Sequence, residues 1–556
     1  MAYQTIDNEV NIMDQITQIL YFILAIIPIF VIFAGLVFFK KSGTFMGIVG
    51  WIVCLVIALL FFWGSPRLET VNLALNASLY GMISSFSISL MVLFTILQVT
   101  MMDKTGAIKS ITEFIKTIAA EKYEQIMILN VGLGSFLVSI GATPVTMLPP
   151  IMMALGFSPL ASIALPCLGY DPLTSFSLLA VPITAPVQAF VPAADYNHYV
   201  NLLANNVALF LPIISTGLAI GMLWIADGMN GVKKGIVPAI VAGLTLGLSA
   251  IVFVKLFPDF VVITGIVAGL MSILSLIILR VIQGKPLRIK KEDRAPSVAT
   301  DGGAPALPLW KAVFPWALLV VFCIVISWPS ISSWLLNIMG ASNKIHILAD
   351  QSVNLKLLNQ AYVWVLVSTV ISAPILISSR KQLVDILKLW IKRAWSPTLA
   401  AAVFFAIAYI MFWSSKTVIN GKLGFSAGMS DFNMDTIVGS TLAIYLGATI
   451  FPAVSPLLGT LGAFVSGSET SSNVMFYGIL NQSTTTLNLN FWNVYAGHAV
   501  SGGIASGIAP AKIVNASSVI DQKGLDGEVI KKSAVVCILL TLVVCAILFI
   551  WMTFIH

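Results

Sequence analysis

Gly462-Ala-Phe-Val-Ser-Gly-Ser-Glu-Thr-Ser-Ser-Asn473 interrupts an otherwise apolar passage, with Phe451 to Leu461 before it and Val474 to Leu480 after it. A lipid-facing helix disfavours such a run. Glycine loosens the backbone, and every hydroxyl, amide and carboxylate needs a partner where water is absent. Irregular backbone at membrane depth is tolerated where it lines a cavity. The run therefore reads as the tip of a re-entrant hairpin, whose half-helix N-termini and freed N–H groups can face an anion. The alternative, a solvated loop rich in Ser and Thr, fits the apolar flanks poorly.

Composition points the same way. The chain has 556 residues, of which 58% are apolar and 10% charged, with a mean hydropathy of +0.98. These values predict an all-α polytopic membrane protein in contact with lipid. The formal net charge is +7, but the Lys and Arg residues sit in short links between apolar runs, where they report orientation in the membrane. No nucleic-acid partner is implied. Cys54, Cys167, Cys323, Cys537 and Cys545 lie inside apolar segments without paired spacing, so neither disulfides nor a zinc site is expected, and no cofactor is implied. Met1 to Gln15 is acidic and lacks a basic n-region, which favours a retained first helix over a cleaved signal peptide.

Apolar runs near the length a bilayer core requires fall at 17–39, 46–63 and 78–101, then at 207–227, 236–254 and 261–280. The second half supplies 312–328, 360–379, 396–413 and 533–554. Lys40 and Lys41, Lys104 and Lys109, Lys233 and Lys234, and the basic stretch Arg280 to Lys311 all fall on the cytoplasmic side of one alternating assignment. That assignment puts both termini outside and gives about 12 net crossings. Lys381 to Trp395 alternates apolar with basic residues and is expected to be a separate interfacial helix. Ala295 to Pro308 is the linker between the halves.

The two remaining regions resemble each other. Gly-Ser-Phe-Leu-Val-Ser at Gly134 matches Gly-Ala-Phe-Val-Ser at Gly462, and at the same spacing Leu-Ala-Val-Pro ending at Pro182 matches Gly-Ile-Ala-Pro ending at Pro510. The first region is entered from the cytoplasmic side and the second from outside, so they read as two inverted-topology repeats, an arrangement characteristic of secondary transporters. Each has a first arm (Ile111 to Ala120; Ile437 to Ala448), a tip and a half-helix (Val145 to Gly156; Val474 to Leu480). Each then has a broken transmembrane helix, at Cys167 to Ser177 and at Gly497 to Gly507. The division is 1–45 N-terminal helix; 46–205 first repeat; 206–311 connecting helices and basic linker; 312–359 connecting helix and external segment; 360–522 second repeat; 523–556 C-terminal helix.

Gly467-Ser-Glu-Thr-Ser-Ser-Asn473, a later Gly-Gly pair and an Ala-Pro, together with Leu155-Gly-Phe-Ser-Pro-Leu160 and Asp227-Gly228, resemble the lactate permease family of organic-anion symporters. The resemblance covers most of the chain and implies carriage of lactate, glycolate or similar 2-hydroxy acids with protons. It further implies multi-pass residence in a prokaryotic plasma membrane and an elevator-type homodimer. This chain departs from the family at Ser139-Ile-Gly-Ala-Thr-Pro144 and Tyr170-Asp-Pro-Leu-Thr-Ser175, and carries Lys512 beyond Pro510 where a Gly-Lys step is expected before it. H+ and Na+ therefore both stand as coupling ions.

An ionisable side chain in a membrane core costs about 2.5–3.5 kcal/mol on insertion scales and is by default functional. Glu469 is the candidate carrier of the coupled ion, or alternatively a hairpin cap. Asp171 is its candidate partner, or the N-cap of a half-helix begun by Pro172. His498 is a third ion-coupling candidate, or a hydrogen-bonded core histidine. Lys512 either compensates a carboxylate or snorkels toward the cytoplasm, the latter being preferred. For the substrate, Ser139, Gly141, Thr143 and Thr146 in one tip face Ser468, Thr470, Ser471, Ser472 and Asn473 in the other. Thr174, Ser175, Ser501, Gly502 and Ser506 come from the broken helices. Neutral donors and helix N-termini can hold a carboxylate and still release it. No catalytic set or clustered metal-ligand spacing is present in the sequence, so an enzyme is not expected; an anion channel is a further alternative.

Overall fold

The structure is a computed structural model that describes residues 6–39, 41–64, 67–115, 117, 121–141, 144–286, 307–426, 429–522 and 524–554. Thr143, residues 287–306 with most of the expected Ala295 to Pro308 linker, residues 116 and 118–120 of the expected first arm, and Lys523 lie outside them, as do the side chains of Thr146 and Ser506. Among the described residues, nine helices are long and apolar enough to cross a membrane, from Ile16–Leu36 to Asp526–Phe554. Pro159–Leu168, Thr174–Phe190 and Ala361–Leu376 are shorter apolar helices. The chain is a multi-pass membrane protein.

Several expectations are corrected. The 78–101 run belongs to a helical path that begins earlier: Leu68–Ser84 and Phe86–Lys104 meet at Ser85, whose hydroxyl bonds back to the Met82 carbonyl at 2.7 Å. Polar residues such as Asn72 and Asn76 hide this first half from a hydropathy reading, although Asn76 is satisfied by Asn72. The expected interfacial helix at Lys381 to Trp395 is continuous with the span that follows, as the single helix Arg380–Trp413. Nothing in Lys392 to Trp395 caps a helix, and Ser379 caps its start by accepting from Gln382 N. Two small antiparallel β-hairpins, Lys344–Leu348 with Gln351–Asn354 and Lys416–Ile419 with Lys422–Phe425, depart from an all-α reading. Asp350 Oδ1 joins them by accepting from Leu423 N at 3.0 Å.

Helix Leu211–Leu256 breaks at Asp227 and Gly228 (φ 57°), between the two spans expected there. Tyr123 OH and Asn230 Nδ2 both donate to Asp227 Oδ2, at 2.6 and 2.9 Å. Nearby, buried Arg280 pairs with Glu124, which also accepts from Lys285 Nζ at 2.7 Å.

The second polar region is built by local rules. Asn433 caps helix Met434–Ser466 by accepting from Thr436 N, and Gly447 (φ 65°) interrupts it after the first arm. Gly467 then takes the left-handed conformation (φ 73°) that ends many helices, since it lacks the Cβ that would clash. Ser468 accepts from Ser471 N and starts Glu469–Thr486, with Glu469 in the first turn, where a carboxylate is favoured. Helix Phe491–Ser506 follows, and only Gly507 to Ala509 is unwound before Pro510–Val519. The expected broken stretch Gly497 to Gly507 is therefore mostly helical.

In the first region, Gly134–Ser139 and Pro144–Ala154 flank the tip, and Pro159–Leu168 leads into a broken passage from Gly169 to Phe176. Leu178, Leu179 and Ala180 then form a left-handed turn (φ 50°, 58° and 61°) before the chain resumes a right-handed helix through Pro182.

Candidate functional site

Glu469 is buried, and its Oε1 accepts from Ser175 Oγ at 2.7 Å. One turn further along the same helix, Asn473 Nδ2 donates to the Pro182 carbonyl at 3.0 Å. Both contacts reach from the second tip to the broken passage of the first region, on either side of the left-handed turn. Asn473 is positioned through its own carbonyl, which accepts from Tyr495 OH at 2.8 Å. Glu469 Oε2, Asn473 Oδ1 and Ser501 Oγ are buried and have no hydrogen-bond partner among the described residues.

Glycines bring the third element close. A Cβ on Gly503 would stand 2.8 Å from Glu469 Oε2 and 3.4 Å from the Thr174 side chain. One on Gly507 would collide with Asp171 Oδ2 and stand 2.6 Å from the Cys167 carbonyl. Gly502 similarly faces the Glu469 stem. The Gly-Gly pair thus permits close approach of helix Phe491–Ser506 to a carboxylate and does not unwind it. Thr174 Oγ1 bonds the Tyr170 carbonyl at 2.9 Å, holding the broken passage in shape.

Lys512 does not snorkel away. Its Nζ lies 3.5 Å from the centre of the Tyr170 ring, within electrostatic reach of Asp171 and Glu469. The Tyr170 ring face and the two carboxylates offset part of what burial costs the ammonium. The assembled constellation is two buried carboxylates, one ammonium, the Ser175 hydroxyl, the Asn473 amide and a ring of close glycines.

Other expected residues lie apart or serve the frame. Ser472 Oγ donates to the Gly459 carbonyl at 3.1 Å and lies 3.4 Å from His498 Nε2. His498 stacks on Tyr495 and sits beside Phe476, in the packed interior behind the tip. Thr470 and Ser471 are buried beside Glu469 in sequence, and Ser468 caps the helix. Ser139 donates to its own helix at the Ser135 carbonyl and packs on Gly265, so it is not brought to Glu469. Gly141 (φ 85°) packs against Thr95 and Leu178. Tyr495, Tyr170 and the Pro182 carbonyl were not singled out from the sequence. Tyr170 was findable as the neighbour of Asp171, and Tyr495 as the residue one turn before His498.

With this geometry in view, comparison with known proteins is informative. A family model described as L-lactate permease matches residues 21–555. The chain is 26% identical to the L-lactate permease of Bacillus subtilis, the match covering 94% of each chain. It is 23% identical to the glycolate permease GlcA of Escherichia coli, covering 92% of this chain and 91% of that one. Among solved structures it is similar to MtrF of Neisseria gonorrhoeae, with a TM-score of 0.45 and 11% identity over 92% of this chain and 95% of that one.

Proposed function

The chain belongs to the L-lactate permease family, and from that premise we propose that it is a secondary transporter of small 2-hydroxy monocarboxylates of the L-lactate and glycolate type, coupled to H+. The observation that carries this reading is the pair of contacts Ser175 to Glu469 and Asn473 to Pro182. They join the irregular parts of two separate regions around one buried carboxylate. A carboxylate with one partnered and one unpartnered oxygen is suited to take and release a proton as its surroundings change.

The two regions act as inverted repeats with re-entrant tips. In support, Glu469–Thr486, which follows the second tip, packs on the helix after the first break, while Pro144–Ala154, which follows the first tip, packs on Pro510–Val519 after the second. This reciprocity is what a pseudo-two-fold axis produces. Transport proceeds by an elevator movement of these elements against the long helices Phe86–Lys104 and Arg380–Trp413, in a homodimer in the plasma membrane with both termini outside. The site takes the carboxylate on the Ser175, Ser501 and Asn473 groups, with Lys512 offsetting its charge.

Na+ coupling is the second reading. It is favoured by the unpartnered oxygens Glu469 Oε2 and Asn473 Oδ1, since Na+ is held by oxygen ligands. Proteoliposomes loaded with purified protein and given L-lactate decide the matter: accumulation driven by an inward H+ gradient without Na+ supports the first reading. Accumulation that needs Na+ supports the second, and equilibration without accumulation overturns both in favour of a channel.

A further inference from the structure

A separate cavity of about 40 Å³ opens beside the left-handed turn, and neither Glu469 nor Asn473 lines it. It is lined by Leu179, Val181 and Tyr196 and by Ser87, Asn359 and Tyr362. Allowing ~10–15 Å³ of such space per water, it holds roughly three waters, so an acid of two or three carbons enters only as the wall gives way around it. Ser87 and Tyr362 are 6% and 3% exposed. Ser87 Oγ, Tyr362 OH and Asn359 Oδ1 have no hydrogen-bond partner among the described residues. Three such atoms around one small cavity are not a packing accident, because a buried polar group left unsatisfied is destabilising.

The lining has a definite chemistry. Asn359 Nδ2 is held by the Ser332 carbonyl and hydroxyl at 2.9 and 2.8 Å, which leaves Oδ1 as its unused acceptor. The two hydroxyls can donate. Lys356 Nζ lies 4.0 Å from the centre of the Tyr196 ring at the wall and gives the neighbourhood a positive charge. Two donors, one acceptor and a nearby cation complement a molecule that carries a carboxylate and a hydroxyl. Leu179 and Val181 of the cavity wall belong to the passage whose Ser175 and Pro182 bond the second tip.

We propose that this cavity is a second binding place for the small 2-hydroxy acid, an outer waiting site from which the acid passes to the Glu469 constellation when the turn Leu178 to Ala180 moves. The proposal rests on the transport reading above. In the topology proposed there, Asn359 closes the external segment, so the cavity belongs to the outward side. Asn359 and Tyr362 hold the acid from one wall and Ser87 from the other. The neutral partners favour quick release.

Equilibrium dialysis of radiolabelled L-lactate against the purified full chain tests it, with Ser87→Ala/Tyr362→Phe and Asn473→Ala as separate variants. The expected result is two acids bound per wild-type chain, with one of the two weakened in either variant, about 2- to 13-fold for each hydrogen bond lost. In transport assays the Ser87→Ala/Tyr362→Phe chain should show a higher KM for external acid, about 2- to 13-fold for each hydrogen bond lost, with kcat unchanged. Its melting temperature should not fall, since both hydroxyls lack protein partners. One acid per wild-type chain, weakened in Asn473→Ala and unchanged in Ser87→Ala/Tyr362→Phe, means a cavity filled with water only and overturns the proposal while leaving the transport reading intact. No binding to the wild-type chain overturns both.

Discussion

Ser175 Oγ donates a 2.7 Å hydrogen bond to Glu469 Oε1, joining residues 294 positions apart. The bond ties the carboxylate of one polar region to the irregular backbone of the other, so a change in charge at Glu469 is felt directly at the Leu178 to Ala180 turn. Coupling between ion and substrate needs such a connection.

Glu469→Gln keeps the size and an acceptor but cannot exchange a proton. In proteoliposomes this variant should exchange internal for external L-lactate at a rate close to wild type, yet lose accumulation driven by a pH gradient. A wild-type response to the gradient assigns the coupled ion to another group.

Asn473 and Ser472 are neighbours with different partners, and their alanine variants should separate. Asn473→Ala removes the bond to the Pro182 carbonyl and a free acceptor, and should weaken L-lactate binding about 2- to 13-fold, the equivalent of ~0.5–1.5 kcal/mol. Ser472→Ala loses the bond to Gly459 in the frame, and should lower thermal stability with little change in affinity. Equilibrium binding and melting of the two purified variants give the comparison.

Three glycines offer a graded steric test. A Cβ on Gly459 would collide with the His498 carbonyl, one on Gly503 would come within 2.8 Å of Glu469 Oε2, and one on Gly527 meets nothing within 4 Å. Gly459→Ala should destabilise by about 1–3 kcal/mol or more through backbone displacement. Gly503→Ala should impair transport more than stability, and Gly527→Ala should be close to silent in both.

Glu124 and Glu121 both contact Lys285 at 2.7 Å, but only Glu124 also neutralises Arg280, whose side chain is 3% exposed. Glu124→Gln leaves that guanidinium buried without its counter-charge and should cost ~3–5 kcal/mol, seen as a large fall in melting temperature. Glu121→Gln, on a half-exposed side chain, should cost at most ~1 kcal/mol.

The contact between the β-hairpins depends on pH. The Leu423 backbone N–H, and then the Gln351 amide, hold the exposed Asp350 carboxyl below its ordinary value of 3.8. A depressed folded value means that the contribution is fully present above the unfolded value and disappears as pH falls through the folded one. The protection factor at the Leu423 amide, its exchange rate relative to the unstructured amide at the same pH, should therefore fall on acidification below about 4, and Asp350→Asn should remove that pH dependence. A protection factor that does not change over this range separates the hairpins energetically.

How much of this was legible in advance depends on the range of the rule involved. The turn at Gly467 and Ser468 was readable because a left-handed glycine followed by a capping serine is a local signature. The Asp227 to Gly228 break fell between two hydropathy maxima. The Gly497 to Gly507 passage was over-read: its glycines serve contacts with Glu469 and Asp171, which are tertiary and invisible in a composition of small residues. The meeting of Glu469 with Ser175 was implicit in the repeated pattern, but its partners Tyr495 and Pro182 were not, since a carbonyl carries no letter. Ser139 looked like a site residue from its place in the tip, and its hydroxyl is instead used within its own helix. The joining of Lys381 to Trp395 with the following span was missed because basic residues on a helix face do not reveal where the helix ends.

Helix Arg380–Trp413 has 34 residues, roughly 51 Å at ~1.5 Å per residue, against a hydrocarbon layer of about 30 Å. Trp390 Nε1 donates to the Leu93 carbonyl at 2.7 Å, and Arg393 reaches Asp103 at 3.4 Å, so this rod is fastened to its neighbour along its basic half. It cannot shorten to follow the lipid, and a bilayer of different thickness must tilt it or deform around it, at fractions of a kcal/mol per Å. Acyl-chain length thereby enters the energetics of this protein as a variable of its own, acting on a beam that packs on the helix Glu469–Thr486.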